Sequence, residues 1–205
     1  MVSKIVCVVR DTAPRAAQLD AIPAHALSLH VPDPVEAPEH PADVRAVVMA
    51  WCARLPTTRD VETWFPDAPV DAYVVDEHVR IADHRDWPFG VESPGIGRIS
   101  FVRALPGLDR AEMARHWGEV HWPIARVHHP ALWRYVQNVV VEPITPDAPE
   151  IDGIAELRFR SVADLRERFY DSDDGRRIVA DDVAKFLDRG AGWRLLARET
   201  WIRSP

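Results

Sequence analysis

His121 is the residue whose type and surroundings point most directly to chemistry. Imidazole changes protonation near neutral pH, so a positioned histidine can move a proton as general acid or base. Two residues on stands Pro123, which cannot donate to the preceding turn and disfavours α geometry at Trp122. The spacing predicts a helix to about Val120, a break at His121-Trp122, and a short second helix with Pro123 in its first turn. At such a helix start the positive end of the dipole would favour neutral imidazole, ready to accept a proton. The alternative is a structural imidazole that bonds a backbone carbonyl left free at the break.

The helix that must carry His121 opens with Asp109 and Glu112 at capping-box spacing. Met113, Trp117, Val120 and Ile124 follow at helical spacing and predict a buried stripe. His116, five residues before His121, would point about 140° away on a regular helix, as a polar edge residue or a second participant. On the next strand, alternation separates Trp133, Tyr135 and Gln137 from Arg134, Val136 and Asn138. Tyr135 is the candidate for a cleft hydroxyl that binds a substrate oxygen. Glu156 and Asn138 are further candidates for substrate contact, although Glu156 shares a strand face with Arg158 that could equally meet solvent. Trp117, Trp122, Phe186 and Trp193 are expected to wall the pocket. His128-His129, before Pro130, read as capping residues near a helix C-terminus, where the cationic form is favoured. Asp181-Asp182 read as a solvated helix face.

Metal and nucleotide sites are not expected. There is no His-Glu-x-x-His or Cys-x-x-Cys run, and His25 and His30 fall on opposite faces of a strand. No P-loop or Gly-x-Gly-x-x-Gly occurs, and Gly95-Ile96-Gly97 precedes a strand where the fingerprint should follow one. Cys7 and Cys52 lie in apolar strand-like runs and read as buried thiols.

Strands are predicted at residues 4–10, 26–31, 44–52, 70–81, 98–104, 132–143, 153–160 and 192–202, from runs rich in β-branched and aromatic residues. Helical turns are expected after Pro14 and at 58–65 with Thr58 as cap, with longer helices from Ser161 to about Tyr170 and from Asp174 to Leu187. Residues 32–41 read as a proline-rich loop. Residues 83–97, broken by Pro88, Gly90, Pro94, Gly95 and Gly97, read as a linker that packs down through Trp87 and Phe89. The organisation is then 1–82, linker 83–97, and 98–205, the last with the order βαββαβ of a ferredoxin-like unit. Set side by side, the halves match strand for strand, KIVCVVR with RISFVRA and VRAVVMAWC with GIAELRFR. An internal duplication follows, in which the first copy keeps its strands and loses most of its helices.

A net charge of -7 argues against nucleic acid and against anionic membrane surfaces. No apolar run approaches the roughly 20 residues of a membrane helix, and no signal-like start is seen, so a cytoplasmic address is expected. Lys4 and Lys185 are the only lysines, which suggests a GC-rich bacterial genome.

Arg103, Pro106-Gly107-Leu108, Met113, His116-Trp117, His121-x-Pro123, Trp133 to Asn138 and Asp152 to Leu157 together resemble the EthD family. The resemblance covers roughly residues 98–202. It implies an α+β fold of the dimeric α/β-barrel superfamily, whose members include cofactor-independent cyclases and monooxygenases, lactone isomerases and a hydroxynitrile lyase. The expected architecture is tandem ferredoxin-like repeats closing a pseudo-dimeric α/β barrel within one chain, which could pair again as a homodimer. The expected function is a cofactor-independent lyase, cyclase or isomerase acting on a small apolar or aromatic carbonyl compound. The rivals are a non-catalytic pocket protein and a cofactorless monooxygenase.

Overall fold

The fold was analysed in a computed structural model that describes residues 2–35 and 40–203. Eight strands form a closed, wholly antiparallel barrel: β1 (Ser3–Arg10), β2 (Ala26–Pro32), β3 (Val44–Cys52), β4 (Val70–Ile81), β5 (Ile96–Val102), β6 (Arg134–Pro143), β7 (Gly153–Phe159) and β8 (Trp193–Arg203). Their order around the barrel is β1-β3-β2-β8-β5-β7-β6-β4. Within each half the order is therefore the same, fourth-first-third-second. The halves are joined edge to edge by β2 with β8 and by β4 with β6. Part of the expected proline-rich loop, residues 36–39, lies outside the described residues. Residues 83–97 lie along β8, the Gly90 and Ser93 amides donating to its Trp201 and Glu199 carbonyls; Trp87 donates to Ser93 within the segment, whereas Phe89, expected to pack down, is exposed.

Helices cover the outside of each sheet. The N-terminal half has α1 (Ala16–Ala21) and α2 (Thr58–Trp64). Thr57, and not Thr58, caps α2, its hydroxyl accepting the Asp60 amide. The C-terminal half has α3 (Arg110–His116), a π turn at Trp117–His121, α4 (Trp122–His128), α5 (Val162–Glu167) and α6 (Asp173–Val183). Both expected capping hydroxyls or carboxylates, Asp109 and Ser161, are in place. The N-terminal half thus carries two short helices, of six and seven residues. Among the described residues no helix is long and apolar enough to cross a membrane.

Alternation splits the strands between two environments, and for β1 and β3 both are dry, which is why these two read as nearly continuous apolar runs. Ile5, Cys7 and Val9 of β1 face outward to Leu19, Val61, Trp64 and Phe65 of the helical layer. Val6 and Val8 face the barrel interior, against Met49, Tyr73, Ile99 and Phe101. Both cysteines are free and buried, and burial pushes the Cys7 thiol upward.

At one end of the barrel interior, apolar residues give way to charge. Lys4 pairs with Glu77 (2.7 Å) and Glu156, Arg134 with Glu156 (3.1 Å) and Glu199 (2.9 Å), and Arg158 with Glu199 (2.8 Å). Burial works to raise the Glu156 carboxyl, but Lys4 and Arg134, with His30, outweigh it and take it to about 2. Because the network joins β1 and β4 to β6, β7 and β8, it ties the two halves together across the barrel. Removing one partner leaves a buried charge uncompensated, so Glu156→Gln should cost about 3–5 kcal/mol in urea denaturation. Adding Lys4→Met to Glu156→Gln should recover part of that loss. A cost below about 1 kcal/mol would show that the network does not tie the halves.

Candidate functional site

A cavity of about 450 Å³ lies between the C-terminal sheet and its helices, within the roughly 300–1,000 Å³ of small-molecule pockets. The sheet floor comes from Arg98, Ser100 and Val102 of β5, Tyr135 of β6, and Ala155 and Leu157 of β7. The helical roof includes Trp117, His121, Ala125, His129, Val179 and Val183, with Phe169, Tyr170 and Trp193 closing the sides.

The helix that carries His121 is continuous, contrary to the predicted break. Pro123 has no amide to offer Glu119, and its ring would crowd that carbonyl in a regular helix. The chain instead widens into one π turn, with the Trp122 amide donating to the Trp117 carbonyl, five residues back. His121 therefore sees no helix start, and the dipole argument for its neutrality falls. The extra residue also moves the buried stripe. Met113, Trp117, His121, Ala125 and His129 are buried, in steps of four, whereas Val120, expected in the stripe, is exposed.

The same turn cancels the expected divergence of the two histidines. His121 Nδ1 lies 3.0 Å from Oδ2 of Asp182, and His116 Nε2 lies 3.0 Å from Oδ1 of the same carboxylate. Asp182 is 1% exposed, which overturns its reading as a solvated residue. Burial works to raise its pKa, but the hydrogen bonds from His116 and His121 prevail and hold it below the usual carboxylate range. An ionised carboxylate only accepts, so both imidazoles must donate to it. That leaves His121 Nε2 as a lone-pair acceptor. Burial lowers the His121 pKa, opposed by the Asp182 hydrogen bond and charge, and the net shift is downward. His121 is thus held neutral by burial and fixed as one tautomer by Asp182.

Tyr135 stands beside it with its hydroxyl accepting from Trp117 Nε1 (3.0 Å) and Gln137 Nε2 (3.1 Å). Gln137 also donates to the Trp117 carbonyl (3.0 Å), and its own oxygen accepts from Arg80 Nε (2.9 Å). Burial raises the Tyr135 pKa against these hydrogen bonds. With both lone pairs occupied, the phenol is left as a donor. Gly153 allows the close approach on which this depends: a Cβ there would come within 2.6 Å of Trp117 Cζ3. The adjacent Asp152 accepts from the Ala104 amide (2.9 Å) and Arg110 Nε (3.0 Å), anchoring α3.

Of the residues chosen from sequence, His121, Tyr135, Trp117 and Trp193 reach the cavity wall; Trp193 also stacks on Phe101 at 3.9 Å. His116 and Phe186 stand behind the wall, Phe186 stacking on His116 (4.7 Å) and His121 (5.2 Å). Trp122 is half-buried against the Tyr135 ring at 5.6 Å and does not line the cavity. Glu156 and Asn138 are corrections, because both face the barrel interior, where Asn138 donates to Glu156 (2.8 Å) and to the Ile154 carbonyl (2.9 Å). The alternation that placed Tyr135 outward had already placed Asn138 inward. His129 caps α4 but is neutral, not cationic: burial takes it to about 4 against a hydrogen bond to the Phe169 carbonyl. Among the described residues no three His, Cys, Asp or Glu side chains converge as a metal site would require.

Residues 105–190 match the family model described as EthD domain. Among solved structures, an anthrone oxidase-like protein superposes with a TM-score of 0.60 at 10% identity, covering 98% of this chain and 94% of its own. A provisionally assigned monooxygenase from Lactobacillus acidophilus NCFM gives 0.53 at 10% identity, covering 98% and 93%. Another, from Fusobacterium nucleatum subsp. nucleatum ATCC 25586, gives 0.57 at 4% identity, covering 98% and 92%. At these identities the likeness is one of fold, and it spans both halves. No curated protein matches the sequence.

Three buried imidazoles set the acid side of stability. Burial lowers His30 and His129 to about 4 and His121 by a smaller step from an ordinary value of 6.5. Below 6.5 the unfolded chain therefore takes up protons that the folded chain refuses, and stability rises with pH across this window. The melting temperature should fall steadily from pH 6.5 to 5, measured by circular dichroism. A flat profile would mean that these rings titrate normally.

Proposed function

We propose that this protein removes a proton from carbon beside a carbonyl in a small aromatic compound, with His121 as general base. The reading is carried by the His121–Asp182 pair on the wall of a partly open cavity of mixed polar and apolar lining. In this step the C–H electron pair passes into an enolate and the proton moves to His121 Nε2. Asp182 faces the imidazolium as it forms. Tyr135 donates its phenolic hydrogen to the developing oxyanion. Trp117 and Trp193 keep water from the enolate. The enolate can then be reprotonated at a second carbon, attack another carbonyl, or expel a leaving group, which are isomerase, cyclase and lyase outcomes of one first step. We read residues 1–82 and 98–205 as tandem ferredoxin-like units, the first a scaffold for the site in the second.

A second outcome, reaction of the enolate with dioxygen, is supported by the anthrone oxidase-like and monooxygenase neighbours of the fold. Anthrone itself is a suitable probe: its methylene stands across the central ring from the carbonyl, which acidifies it through the flanking aromatic rings, so that deprotonation gives the extended form of the same enolate. Wild-type protein in D₂O should catalyse exchange of the anthrone methylene protons, followed by NMR, and His121→Ala should cost about 10²–10⁴ in rate. A loss below tenfold in a folded variant removes His121 from this role. Because Asp182 raises the His121 pKa, Asp182→Asn should lower the rate and move the acid limb of the profile to lower pH. An oxygen electrode separates the two outcomes: oxygen uptake in step with anthrone loss selects the oxygenase.

A further inference from the structure

Arg98, half-buried, is placed unlike the cations buried inside the barrel. Lys4, Arg134 and Arg158 each meet a carboxylate inside the barrel. Arg98 shares a strand face with Ser100 and Val102 and lines the cavity opposite His121 and His129. Among the described residues no carboxylate forms an ion pair with it. Its Nε is buried and has no hydrogen-bond partner. The Phe169 ring lies 5.0 Å from its guanidinium carbon, with the Tyr170 phenol also nearby. A guanidinium stays charged at any relevant pH, and burial without a counter-ion disfavours the folded state. Nor do the nearby carboxylates form an ion pair with it, although Asp188 lines the same cavity. Asp182 is engaged by His116 and His121, and the Asp188 carboxylate accepts the Gly190 amide. The two imidazoles that line the space, His121 and His129, are held neutral by burial.

We propose that Arg98 is the subsite for a carboxylate on the aromatic ligand of this cavity. The planar fork of a guanidinium matches a carboxylate with two parallel N–H···O contacts. Phe169 offers the guanidinium an aromatic ring and no hydrogen-bond acceptor. The ligand is then an aromatic acid, its ring between Trp117, Leu157 and Trp193 and its acid group at Arg98. This rests on the reading of the cavity as the substrate site and narrows it from aromatic carbonyl compounds to those bearing a carboxylate.

The test compares 2-naphthoate with 2-naphthamide, which share a ring system and differ in charge, by calorimetric titration of the full chain at pH 7. The acid should bind wild-type protein at least tenfold more tightly than the amide. Arg98→Met should abolish that preference while changing amide affinity less than about threefold. Equal affinities in wild type, failure of the acid to bind, or a preference that survives Arg98→Met would each overturn the proposal. If Arg98→Met does not fold, Arg98→Gln carries the same comparison. The measurement needs no turnover, so the two readings fail separately. Acid preference without His121-dependent exchange keeps the anion subsite and removes the base. Exchange with equal binding does the reverse.

Discussion

One extra residue in a helical turn governs the site. A regular helix through Trp117–His121 would bury Val120 and direct His116 and His121 to different sides. Pro123 makes that regular turn costly, since it withholds an amide and crowds the Glu119 carbonyl. The π turn answers both problems by widening the ring of backbone atoms, and its by-product is a slide of the buried stripe by one position. Every buried residue from Met113 to His129 then falls four from the last. His121 enters the cavity wall, and His116 comes near enough to share its carboxylate.

That carboxylate is only as well placed as α6, and α6 is only as well placed as the sheet beneath it. The barrel supplies the rigidity in two ways. Its edges close on one another, so no strand is free to slide. Its interior holds alternating cations and anions from both halves, and a register slip of one residue would turn Lys4, Glu156 or Arg134 out of reach of its partner. The ion pairs inside the barrel need not add stability over an apolar core. What they do is penalise any arrangement of the two halves except the observed one.

Much of the fold was legible because a strand dry on both faces leaves a nearly continuous apolar run: β3 begins and ends where the composition changes. The remaining strands were legible from β-branched and aromatic runs in both halves. The π turn was not, because a proline two residues after a histidine is as consistent with a chain break as with a widened turn. Asp182 was missed for a more avoidable reason. Val179, Asp182, Val183 and Phe186 stand at helical spacing, so the carboxylate lies on the apolar stripe of α6 and only its neighbour Asp181 faces water. A charge on an apolar stripe is a request for a partner. The same signal runs through Arg134 and Glu156, each set between apolar or aromatic strand neighbours, and is fainter at Lys4 and Glu199. Arg98 gave less warning, since a strand-end arginine ordinarily reaches solvent.

The two halves use one strand order for opposite ends. In the N-terminal half the space between helices and sheet is filled by Leu19, Ile22, Val61, Trp64 and Phe65. Its helices are short, and they sit on the sheet through large side chains. In the C-terminal half the π turn and the longer α6 stand over small floor residues, Ser100 and Ala155, and the difference in volume is the cavity. A cavity forgoes packing, and an uncompensated guanidinium within it disfavours folding further. Such features persist where the surrounding structure can carry them. Here the carrying is done by the filled half and by the barrel it shares.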